Sequence, residues 1–164
     1  MQIQHQNFLK ISLIFIIILG FNYGASSQQF LHYDWKNPRG LSDSTNYLAM
    51  SNGDYTIFLE HRYRVIIPFL ANIVRNLVQP LIPSEQLHWF GGVDAFSFYI
   101  INCFFSSLTG LFLYLFLVRL KFEPQLSLLG VFIFLGSRIT ILATGAPIVD
   151  SLYFLSIIII VYFC

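Results

Sequence analysis

The sequence predicts an all-α fold: a multi-span transmembrane helical bundle with interfacial amphipathic helices in its first long loop. Three observations predict it. Of 164 residues, 56% are hydrophobic and only 10% charged, with a mean hydropathy of +0.68, outside the mixture of a soluble domain. Apolar runs stand near residues 8–25, 94–118, 126–144 and 151–164, to be compared with the ~20 residues that carry a helix across the hydrocarbon core. Between the first two runs lies a polar loop, 26–92, which holds almost every group capable of chemistry. The last run falls short of a full span, so residues 1–164 read as one membrane domain, the N-terminal part of a larger bundle or a bundle completed by partner membrane helices.

Some classes are excluded at once. A formal net charge of +1 without a Lys/Arg cluster argues against a nucleic-acid partner, whose phosphates must be neutralised. Cys103 and Cys164 have no metal-ligand spacing and are assigned to packing, and no metal or cofactor is expected.

In the first run, Lys10 precedes an uncharged apolar core and Gly24-Ala25-Ser26-Ser27 follow it. That is also the pattern of a cleaved signal peptide. An uncleaved first span is favoured, because the later runs already commit the chain to a bilayer.

The loop has structure of its own. Ser42 or Asp43 is placed to N-cap a helix that Gly53 ends in a left-handed cap, with Asp43, Tyr47 and Met50 on one face. Residues 65–78 set Ile66, Leu70, Ile73, Val74 and Leu77 on one side and Pro68, Asn72, Arg75, Asn76 and Gln79 on the other, the pattern of an amphipathic helix in a membrane surface. A span over 65–82 is the alternative, made costly by Arg75, the two asparagines and Pro80. Trp35, Tyr63 and Trp89 suit the headgroup zone.

The second run is uncharged from 95 to 118 and closes on Arg119-Leu120-Lys121. Ser106 and Gly110 stand one turn apart within it, a spacing that lets another helix approach closely. The third run contains one charge, Arg138, and ends in the turn residues Thr144-Gly145-Ala146-Pro147. A charge inside a span faces a cavity or a partner unless the span ends early. Asp150, at the mouth of the fourth helix, either makes a structural charge pair with Arg138 or serves as that helix's N-terminal acid.

Three motifs carry a resemblance: Asp43-Ser44-Thr45-Asn46-Tyr47, then Tyr63-Arg64-Val65-Ile66-Ile67-Pro68, then Gly145-Ala146-Pro147-Ile148-Val149-Asp150-Ser151-Leu152. In this order around a first span, a long loop and a later span, the chain resembles polytopic membrane glycosyltransferases of the GT-C type. The resemblance implies a sugar transferred from a polyprenyl-phosphate carrier with inversion, in a bacterial-type plasma membrane or an endoplasmic reticulum membrane, with the long loop outside the cytoplasm. It implies Asp43 as the catalytic base, Arg64 with Arg62 as binders of the lipid phosphate, and Tyr47 as a group that orients the carboxylate or stacks on a sugar. Membrane lipids are the other expected partner. Ser42 and Ser44 flank Asp43 where some relatives carry a second acid, in keeping with the absence of a metal.

The charge rule for membrane topology points the other way. With the loop outside, Lys36, Arg39, Arg62, Arg64 and Arg75 lie outside with it and only Lys10, Arg119 and Lys121 lie inside. Either a phosphate-bearing ligand or a reversed topology resolves this conflict. The alternative function is a non-catalytic membrane subunit or transporter fragment, in which Arg62 and Arg64 simply reach lipid headgroups.

Overall fold

The computed structural model of the chain describes residues 2–33, 42–56, 64–81 and 92–164. All regular structure among them is helical: α1 (Gln2–His32), α2 (Ser42–Ser51), α3 (Ile66–Val78), α4 (Gly92–Arg119), α5 (Pro124–Leu135), α6 (Arg138–Gly145) and α7 (Asp150–Phe163). Two helical stretches are long and apolar enough to cross a membrane, Phe8–His32 in α1 and the whole of α4. The number becomes three if α5 and α6, bent by 64° at their junction, form one broken span.

The third apolar run is therefore not one straight helix. Gly136 ends α5, and the extended Ser137 caps α6, its hydroxyl accepting from the Thr140 amide at 3.4 Å. A Gly-Ser pair is a usual cause of a sharp kink, and the serine cap starts a new helix in a new direction. The 13 residues of α3 rise only about 20 Å, short of the ~30 Å hydrocarbon core, so among the described residues α3 is a short apolar helix and not one of the candidate spans.

The central helix is α4, against which α1, α3, α5, α6 and α7 all pack. The antiparallel α1 presents one stripe to it, Ile18, Asn22, Ser26 and Phe30, four residues apart and all buried. Asn22 donates to the Cys103 carbonyl at 3.1 Å and the Ser107 hydroxyl at 3.0 Å, and Phe30 stacks on Tyr99 at 4.3 Å between centroids. Apolar burial gives helices little reason to associate in lipid, so such hydrogen bonds and close approaches must hold them. The close approach expected at Ser106 and Gly110 is there. A Cβ at Gly110 would meet Ile18 of α1 and Val131 of α5 at 3.1 Å, and the Ser106 hydroxyl accepts from Thr144 of α6 at 2.9 Å.

Contacts along α4 fix the other directions. Thr144 lies by Ser106 and Ala146 by Asn102, so α6 runs antiparallel to α4, as does α5, whose Gly130 lies by Leu117 and Leu135 by Gly110. Ser151 lies by Asn102 and Tyr162 by Arg119, so α7 runs parallel to it. The end of α1, the start of α4, the α6–α7 turn and the short helices α2 and α3 thus gather at one end of the bundle.

At that end α2 begins at Ser42, one of the two residues expected to cap it, and Asp43 lies in its first turn, where a carboxylate complements the helix dipole. The helix closes in a Schellman motif. The Asp54 amide donates to the Ala49 carbonyl and the Gly53 amide to the Met50 carbonyl, both at 3.0 Å, with Gly53 at φ +87°.

α3 is amphipathic in an unusual sense. Ile67, Pro68 and Ala71 are buried against the bundle. The polar sector also meets protein: Asn72 donates to the Ser51 carbonyl of α2, and Arg75 Nε lies 2.9 Å from the Asp94 carboxylate of α4, a charge contact rather than an aligned hydrogen bond. Ile66, Phe69, Ile73 and Leu77 point outward instead. A water-exposed helix normally does the reverse.

Candidate functional site

Tyr47, Met50, Ile67, Ala71 and Phe98 form a buried cluster joining α2, α3 and α4, with Val149 and Leu152 of α7 packed against it. This cluster sets the geometry of the polar groups around it. Tyr47 is only 1% exposed, so its phenol needs a partner. Arg64 provides one from the segment leading into α3, Nη1 donating to the phenol oxygen at 3.1 Å.

Beside this pair lies a cavity of about 520 Å³, lined by Arg64, Ile66 and Ile67 on one side and by Val149, Asp150, Leu152, Tyr153 and Ser156 on the other. Among the described residues its polar groups are therefore a guanidinium facing α7 and a stripe at 150, 153 and 156, three residues apart on one face of that helix. The Ser156 hydroxyl is already bonded to the Leu152 carbonyl at 2.9 Å. Ile66, Ile67, Val149 and Leu152 make the aliphatic part of the lining.

Electrostatics ties the groups together. Burial raises the Tyr47 phenol above its ordinary value, against the lowering hydrogen bond and charge of Arg64, while the carboxylates of Asp43 and Asp150 push it further up. The Arg64 guanidinium is also raised, first by its hydrogen bond to Tyr47 and then by the charge of that group, against an opposing effect of burial, with lesser contributions from Asp150 and Asp43. Two carboxylates distant in sequence thus act on one cation. Tyr47 occupies one donor of the guanidinium, and the fork offers further donors to a planar or tetrahedral anion.

Of the residues singled out from sequence, Asp43, Tyr47 and Arg64 come to one place. Arg62 lies outside the described residues, as do Trp35, Tyr63 and Trp89. Arg138 and Asp150 are not brought together. Arg138 is exposed at the start of α6, and Asp150 opens α7 on the cavity. The eight residues of α6 separate them, a rise of about 12 Å, and among the described residues the charge contact is Arg75 with Asp94 instead. Asp150 does serve as the acid of α7's first turn, the other role foreseen for it. Tyr153 and Ser156 were not foreseen. Their signal was present in Asp150, Tyr153 and Ser156 as three polar groups at helical spacing in an otherwise apolar run. Among the described residues no cluster of His, Cys, Asp and Glu is arranged to hold a metal ion.

Compared with known proteins, the chain matches no family model, no curated protein and no solved structure.

Proposed function

We propose that the chain is a membrane glycosyltransferase-like protein, or the N-terminal part of one, that takes a sugar from a polyprenyl-phosphate carrier at the cavity between Arg64 and α7. The observation that carries this reading is the combination of a guanidinium and an apolar wall in one cavity, at the end of helices long and apolar enough to cross a membrane. A lipid phosphate has those two halves. Its phosphate would lie on the fork of Arg64 and its chain along Ile66, Leu152 and Tyr153.

In this reading Arg64 stabilises the charge that grows on the phosphate as the sugar leaves. Asp43, one turn before Tyr47, takes the proton of the acceptor hydroxyl, and a single displacement inverts the anomeric centre. The outward stripe of α3 lies against the membrane surface, which holds the mouth of the cavity at the depth of lipid headgroups. The loop then faces away from the cytoplasm in a multi-pass protein, and its basic residues serve a phosphate instead of obeying the charge rule.

The test is sugar transfer from polyprenyl-phosphate sugars by the complete protein in lipid vesicles, with Asp43→Asn beside the wild type. Loss of a general base lowers the rate by roughly 10²- to 10⁴-fold, and a folded Asp43→Asn protein with undiminished transfer overturns the assignment.

A second reading has its own support. Leu126, Leu129 and Ile133 of α5 and Ile157, Ile160 and Phe163 of α7 are exposed, and an apolar cleft of about 190 Å³ lies between α4, α5 and α7. Faces of this kind suit further helices, as in a non-catalytic subunit or a transporter fragment. Co-purification with a larger membrane partner, together with indifference to Asp43→Asn, would favour it.

A further inference from the structure

The turn between α6 and α7 brings Asp150 to the cavity, and the interior of the bundle holds this turn in place. Asn102 of α4 is fully buried. Its Nδ2 donates to the carbonyls of Ala146 and Ile148, each at 3.0 Å, and its Oδ1 accepts from the Ser151 hydroxyl at 2.6 Å. Thr144 is bonded to Ser106 at 2.9 Å just before the turn. Gly145 lies so close to α1 that a Cβ there would stand 2.8 Å from Cβ and Cγ of Gln29.

Ser151 follows Asp150 directly, and neighbouring residues on a helix point about 100° apart. Holding Ser151 against α4 therefore turns Asp150 aside, toward the space it shares with Arg64. The same amide that ties the two turn carbonyls makes this bond, so the height and the rotation of α7's first turn are set by one side chain. A buried polar group with all its bonds made is a rigid anchor, because every departure from that geometry leaves a polar atom unpaired.

We infer that Asn102 is a positioning residue of the site: through Ser151 and the carbonyls of the α6–α7 turn it aims Asp150 at Arg64 across the cavity. The inference rests on the reading of that cavity as the functional site, but its geometry can be tested without any substrate. Asn102 itself touches nothing in the cavity. Among the described residues, the charged and titratable groups around position 150 are Arg64 from the segment before α3, Asp43 and Tyr47 from α2, and Tyr153 from α7.

The experiment places a thiol at position 150 by Asp150→Cys in the full chain carrying Cys164→Ser. Cys103 is buried, so labelling by a water-soluble thiosulfonate reads position 150. A guanidinium facing it across the cavity favours the thiolate, so the thiol should titrate below the ~8.5 of a free cysteine. The expected result is such a lowered value, a rise toward ~8.5 on Arg64→Gln, and a similar rise on Asn102→Ala and on the milder Ser151→Ala. With Arg64→Gln already in place, Ser151→Ala should shift the titration no further. A titration unmoved by both Asn102→Ala and Ser151→Ala overturns the inference, as does one unmoved by Arg64→Gln. If the thiol behaves as expected and the complete protein transfers no sugar, the positioning stands and the enzymatic reading falls.

Discussion

The guanidinium of Arg64 donates through Nη1 to the phenol oxygen of Tyr47 at 3.1 Å, a buried ring fixing one side of a surface cation. The ring itself packs with Met50, Ile67 and Phe98. Tyr47→Phe keeps that packing and removes the hydroxyl that accepts from Arg64. The expected loss of stability is about 1 kcal/mol or less, since Arg64 can turn to water. Affinity for an alkyl phosphate should fall by more than that loss implies, because the fork is no longer held. Thermal unfolding and phosphate binding on the same variant separate the two effects.

The pH dependence follows from two shifted groups. Tyr47 is raised above 10.0 in the fold, so its contribution is complete below that pH and disappears as the pH climbs through the raised value. Asp54 is lowered below 3.8, first by the Thr56 hydroxyl and then by the Thr56 amide, so its contribution is complete above 3.8 and disappears as the pH falls through the lowered value. Neither transition falls between about pH 5 and 9. The unfolding midpoint in a fixed detergent should show no contribution from either group there, and Tyr47→Phe should lack part of the alkaline loss.

Two Schellman motifs predict opposite outcomes. α2 ends on Gly53 at φ +87°, whereas α4 ends on Lys121 at φ +68°, with the Phe122 amide donating to Leu117 at 3.2 Å and the Lys121 amide to Val118 at 2.9 Å. The left-handed conformation costs a residue with a Cβ roughly 1–2 kcal/mol. Gly53→Ala should therefore destabilise by about 1 kcal/mol and Lys121→Gly should stabilise by up to about as much, both measurable as shifts of the chemical unfolding midpoint.

Glycines inside the helices divide by what stands opposite them. At Gly145 a Cβ would lie 3.0 Å from the Phe30 backbone nitrogen as well as against Gln29, and backbone cannot give way. Gly145→Ala should cost about 1–3 kcal/mol. At Gly20 nothing lies within 4 Å, so Gly20→Ala should be neutral or stabilise by up to ~1 kcal/mol through helix propensity. Unfolding of the two variants under one set of conditions checks the contrast.

Much of this was legible in the sequence, and each part for a local reason. Long apolar runs marked α1 and α4, and the Gly53 cap and the start near Ser42 marked α2, because length and cap chemistry act within a few residues. Asp43, Tyr47 and Arg64 were chosen from motif order. The break at Gly136-Ser137 was passed over because hydropathy continues smoothly through it, although the Gly-Ser pair was visible. The side of α3 that meets protein was not legible either. Periodicity divides apolar from polar positions but does not say which side meets protein, and Ile67, Pro68 and Ala71 hold the helix down between the two. The pairing of Asp150 with the cavity instead of with Arg138 depends on Asn102, forty-eight positions earlier than Asp150 in the chain. No local pattern conveys such a contact.

The most direct measurement is calorimetric titration of dodecyl phosphate into the full chain in a neutral detergent, with dodecanol as the control for the apolar half alone. The wild type should bind the phosphate and show no detectable binding of the alcohol, and Arg64→Gln should lose at least about tenfold in affinity, equivalent to roughly 1.4 kcal/mol. Equal affinity of the wild type and a folded Arg64→Gln protein, or equal binding of phosphate and alcohol, would contradict a phosphate site at Arg64.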